Sequence, residues 1–95
     1  MSSGNSMHDT VFTLACDQAR AKRSSRDWLY KDDTLRIGVG SGDVGENLIV
    51  IVKLYGATPQ QFETWRAICK AEAAPGKFGH MSRFEGEYRL WFIPK

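Results

Sequence analysis

Gly40-Ser41-Gly42-Asp43-Val44-Gly45 satisfies G-x-G-x-x-G directly after an apolar alternating run. This is the spacing with which a nucleotide-binding turn brings backbone N–H groups to a pyrophosphate. That chemistry needs a helix opening at the last glycine, so that the helix N-terminus faces the phosphates. Here a β-prone run, LIVIVKLY at 48–55, follows almost at once, and Asp43 and Glu46 place negative charge where the anion would sit. The segment is therefore expected to be a glycine-rich hairpin loop reaching Asn47, with no cofactor bound.

Other chemistry-bearing residues are sparse. His8, Cys16, Cys69 and His80 are the soft metal ligands, and no two have the spacing of a zinc knuckle, so no metal is expected. Both cysteines fall on apolar faces of expected helices, the setting of small buried thiols. A nucleophilic thiolate needs a basic, partly exposed neighbourhood and a histidine partner. Asp32-Asp33 and Glu85-x-Glu87 pair carboxylates where turns are expected, which suits solvated turn acids better than an acid–base couple. The chain holds no Ser-His-Asp pattern, phosphate loop or HExxH, and catalysis is not expected.

Two groups of residues suit binding. Arg20, Lys22, Arg23 and Arg26 (RAKRSSR) form the densest charge cluster, and Trp28 and Tyr30 follow it. Cations that track phosphates beside rings that stack on bases are what single-stranded nucleic acid requires. The same cations would equally complement the C-terminal dipole of a helix or meet a protein partner. The second group is Arg89 and Trp91, on the opposite strand face from Leu90 and Phe92. Exposed Trp, Tyr and Arg are the types that dominate protein-interface hot spots.

The scaffold that must hold these residues is small. A chain of 95 residues makes one domain with one core, and 42% apolar with 25% charged residues is the balance of a folded rather than a disordered chain. Thirteen Lys and Arg against eleven Asp and Glu leave a net charge of +2, so any basic site must be local. The longest apolar run, residues 48–52, is far short of the ~20 residues that cross a bilayer. Two distant cysteines suit a reducing, cytoplasmic setting. Residues 1–8 read as a flexible tail and 9–95 as a single α+β domain.

Phe12, Ala15, Cys16 and Ala19 share one helical face, which predicts a helix from an Asp9 N-cap to about Lys22, broken at Ser24 and Ser25. Residues 27–31 suggest a short strand and Asp32-Asp33 a turn. Leu35, Ile37 and Val39 begin a strand that pairs with 48–55, and 48–55, apolar on both alternating faces, is expected at the sheet centre. Thr58-Pro59-Gln60-Gln61 carries a capping box with Pro at the first helical position, opening a helix over 59–73 with the stripe Phe62, Trp65, Ile68 and Cys69. Pro75-Gly76 is expected to end it. Residues 78–93 divide at Glu85-Gly86-Glu87 into a closing hairpin.

The order is α-β-β-β-α-β-β: an antiparallel sheet of four to five strands packed against one or two helices. The 59–73 helix lies on one face, and the N-terminal helix on the same face or at an edge. A free edge beside 88–93 would let a second copy of the chain pair there as a homodimer. The function expected is that of a non-enzymatic protein-binding module, an inhibitor or regulator occupying a partner's surface, as small chains from phages and plasmids often do. The alternative is a nucleic-acid-binding regulator using the basic and aromatic residues.

Overall fold

A computed structural model of the chain describes residues 6–21, 28–84 and 86–95. Its elements are α1 (Ser6–Ala21), β1 (Tyr30–Lys31), β2 (Arg36–Val44), β3 (Asn47–Tyr55), α2 (Pro59–Glu72), β4 (Ala73–Phe84) and β5 (Glu87–Pro94). The strands form one antiparallel sheet in the order β1-β2-β3-β5-β4, with β3 at the centre, where its apolar run requires it. The fold is thus a small α+β domain with the element order read from the sequence. No helix among the described residues is long and apolar enough to cross a membrane.

α2 starts where the sequence puts it. The Thr58 hydroxyl accepts from the Gln61 N–H at 3.1 Å, the Gln61 side chain accepts from the Thr58 N–H at 2.8 Å, and Pro59 occupies the first turn. Trp65 and Cys69 are its buried residues. Phe62 of α2 stacks on Tyr88 of β5 at 4.3 Å, and Phe12 of α1 stacks on Phe92 of the same strand at 5.5 Å. Tyr88 and Phe92 share one face of β5 by the two-residue period of a strand, so both helices cover the same side of the sheet.

Between sheet and helices lies the core. Trp65, Phe92, Leu35, Ile37, Leu54, Leu90, Val50, Val52 and Cys69 are its largest fully buried side chains. Burying a large apolar side chain of this kind contributes about 1.5–3 kcal/mol.

Several boundaries differ from the sequence reading. Ser6 rather than Asp9 opens α1, so residues 6–8, expected in the tail, are helical, and the His8 ring meets Trp65 edge-on at 5.4 Å. β1 keeps two residues of the expected 27–31 strand. The glycine-rich segment is not a loop. β2 and β3 stay in register from Arg36 opposite Tyr55 to Val44 opposite Asn47, leaving a turn of Gly45 and Glu46. Gly45 takes a φ of 62°, which a two-residue hairpin demands and a side chain opposes. Gly38, Gly40 and Gly42 are strand residues on one face, alternating with Val39, Ser41 and Asp43.

Pro75-Gly76 likewise does not separate helix from strand. Ala73 caps α2 with φ −80° and ψ 145°, and the chain enters β4 directly. β4 lies at the sheet edge, where proline's missing N–H leaves no ladder bond unmade, and the register shifts between Ala73 and Phe78. β5 is interior, between β3 and β4, so the open edge next to residues 88–93 is already taken by β4.

Candidate functional site

The side of the sheet away from the helices is the candidate site. Alternation assigns to it Arg36, Gly38, Gly40 and Gly42 from β2, Ile49, Ile51, Lys53 and Tyr55 from β3, Glu87, Arg89 and Trp91 from β5, and Gly79 and Met81 from β4. None of these is buried, whereas Val50, Val52 and Leu54 on the other face of β3 are each 0% exposed. No helix lies over this face among the described residues. The rings are accordingly not all buried: Trp28 is 39% exposed and Trp91 37%.

Its glycines let long side chains lie down on the sheet. A Cβ on Gly79 would meet the Trp91 indole Nε1 at 2.5 Å and two neighbouring ring carbons at 2.6 Å, so the ring rests across β4 where a side chain is missing. Trp28 sets its benzo edge against Gly38, 3.4 Å from where a Cβ would stand. Trp28 also meets Tyr55 edge-to-face at 5.2 Å, with the Arg36 guanidinium 5.9 Å above its ring. The end of the Lys53 side chain lies over Gly40, its Cε 3.2 Å from the Cβ position.

Charge on this face is one-sided. Lys31 stands opposite Arg36 across β1 and β2, and Lys53 stands opposite Arg89 across β3 and β5. Among the described residues that alternation places there, Glu87 is the one acid. Like charges directly opposite one another in a sheet are destabilising. The Arg89 Nε is buried and makes no hydrogen bond. The rows also differ along the strands. Gly40, Ile51, Trp91 and Gly79 run across the sheet as an apolar row, with Gly42 and Ile49 beyond them, while Gly38, Lys53, Arg89 and Met81, then Arg36, Tyr55 and Glu87, form the cationic half.

Trp28, Arg89 and Trp91, singled out from the sequence, therefore share one surface. Arg20 and Tyr30 do not join them. Tyr30 packs partly buried against the core, and its hydroxyl donates to the Asp32 carboxylate at 2.6 Å. Arg20, exposed on α1, lines an open cleft of about 410 Å³ with Cys16, Asp17, Glu72 and Lys95, where both signs of charge are mixed. Lys22, Arg23 and Arg26 lie outside the described residues. Arg36, Lys53, Tyr55 and Met81 were missed from the sequence. Lys53, a single charge inside LIVIVKLY, was the available signal, since a central strand accepts a cation where its face is open to water.

The remaining titratable groups serve structure. The Asp32 Oδ1 accepts from the Thr34 and Leu35 N–H groups, both at 2.8 Å. Hydrogen bonding from Tyr30 first, then Leu35 and Thr34, holds this carboxyl well below its usual range, at about 2, and raises the Tyr30 hydroxyl in turn. Asp32 is thus a turn clamp, ionised at all ordinary pH. Cys16 and Cys69 are free thiols; burial raises both, Cys69 to about 12, so neither offers a thiolate at neutral pH. No group of three or more His, Cys, Asp or Glu among the described residues could hold a metal ion. In comparisons with protein-family models, curated proteins and solved structures, none matches this chain.

Proposed function

We propose that the chain is a non-enzymatic protein-binding module, an inhibitor or regulator that acts by occupying a partner's surface with the uncovered face of its sheet. The observation that carries this is a face left bare by both helices that presents Trp28, Tyr55, Trp91, Met81, Arg36 and Arg89, the side-chain types enriched at interface cores and hot spots. The four long strands, β2 and β3 of nine residues, β4 of twelve and β5 of eight, at about 3.3 Å per residue and about 4.8 Å apart, give the face roughly 600 Å². One partner of a standard interface contributes about 800 Å². Two free thiols in the core suit a reducing compartment, and a cytoplasmic location belongs to this reading.

Capture from nuclease-treated host lysate tests it, comparing the wild type with a Trp91→Ala, Arg89→Ala double variant. A stoichiometric protein held by the first and lost by the second supports the reading; retention unaffected by the double variant removes it. The cation excess on the same face supports a second reading, a nucleic-acid-binding regulator using Arg36, Lys53 and Arg89. That reading requires material lost on nuclease treatment, with affinity falling log-linearly with salt.

A further inference from the structure

We infer that the segment this face receives is an acidic, amphipathic stretch of protein, with apolar side chains over Ile49, Ile51 and Trp91 and carboxylates over Lys53, Arg89 and Arg36. The inference rests on the reading of the face as a protein-binding surface and names the chemistry of the partner. The division of the face carries it. Two residues along a strand span about 7 Å, so the apolar rows and the cationic rows lie side by side within reach of one short segment. Lys31, Arg36, Lys53 and Arg89 face Glu87 as the one acid among the described residues of this surface. A partner supplying carboxylates gives these cations the counter-charge that Glu87 alone does not provide.

Nucleic acid fits this surface less well. A single-strand platform stacks successive bases on several ring faces. Here Trp28 and Tyr55 are turned edge-to-face onto each other and Arg36 sits above Trp28, which leaves Trp91 as the ring lying flat on the sheet. Ile49 and Ile51 beside it ask for aliphatic cover, which apolar side chains provide and phosphodiesters do not.

Selection of a random dodecapeptide library on the immobilised full chain tests the inference, with fluorescein-labelled dT20 as a separate probe. The expected result is enrichment of sequences combining Asp or Glu with apolar residues, bound at least tenfold more weakly by Lys53→Glu. The thermal midpoint of Lys53→Glu is measured beside its binding, and a midpoint within about 4 °C of the wild type's shows that lost binding is not unfolding. Absence of enrichment, or enriched peptides without excess acid and indifferent to Lys53→Glu, overturns the inference. If such peptides are still lost on Trp91→Ala, the protein-binding reading stands and the acidic chemistry alone fails. If dT20 binds more tightly than every selected peptide, both fail.

Discussion

Asp32 shows how much one exposed side chain can organise: it takes hydrogen bonds from Tyr30, Thr34 and Leu35 and fixes the turn between β1 and β2. Its folded pKa lies below its unfolded value, so the stability it contributes is present above pH 3.8 and is lost as pH falls through about 2. Asp32→Asn, which cannot ionise and offers the Tyr30 hydroxyl one acceptor fewer, should therefore be less stable than the wild type at neutral pH. In acid-denaturation curves the gap should narrow over that interval; a constant gap would mean that Asp32 contributes no ionisation-linked stability. Gly79 is the second residue on which much depends. Gly79→Ala pushes the Trp91 ring off β4 at a cost of about 1–3 kcal/mol, the usual range for an added methyl without room. A shift in tryptophan emission together with a lower urea midpoint checks this; unchanged emission would show that the ring does not rest on Gly79. The capping Thr58, the turn acid Asp32 and the separation of Trp91 from the Leu90 and Phe92 face were all legible in the sequence, because each depends on neighbours within a few positions or on strand alternation. The resting place of Trp91 was not, since Gly79 reaches it across the ladder between β4 and β5.

Among the elements, α2 depends on local bonds and β2 on distant ones. Thr58→Ala deletes the acceptor for the Gln61 N–H and should lower stability by about 1 kcal/mol. For a domain of this size that is a fall of about 4–8 °C in Tm, measurable by circular dichroism. β2 shows the opposite dependence. Glycines at 38, 40 and 42 weaken its intrinsic strand preference, and read along the chain they resemble a loop. Pairing with β3 over nine registered positions makes it a strand nonetheless. Lys53→Glu places a carboxylate opposite Arg89 and should stabilise the free protein by about 0.2–1 kcal/mol, read from urea titration. A destabilised variant would mean that the side chains at 53 and 89 do not meet across the two strands.

For the whole molecule, the two edges of the sheet decide self-association, and β4 is the longer of the two edge strands. β4 occupies its edge with Pro75, Lys77 and register shifts on either side of its central stretch, devices that discourage strand addition. Sedimentation at micromolar concentration is therefore expected to give one species near 10.7 kDa; a species of twice that mass would mean that β4, or the part of β2 beyond its pairing with β1, takes up a second copy. The sequence by itself determined the element order, the start of α2, the central place of β3 and the placing of Trp91 on the opposite strand face from Leu90 and Phe92, because caps and alternation are set by hydrogen bonds and side-chain periods within a few residues. The tertiary structure alone decided that the glycine segment is strand, that the helix runs straight into β4, and that β4 shields β5. It also decided that both helices lie on one side of the sheet, leaving Arg36, Lys53, Arg89 and Trp91 together on the other. The reason is that these features arise from packing between opposite ends of the chain, as where Phe12 meets Phe92, and no local pattern records which of two sheet faces such packing will cover.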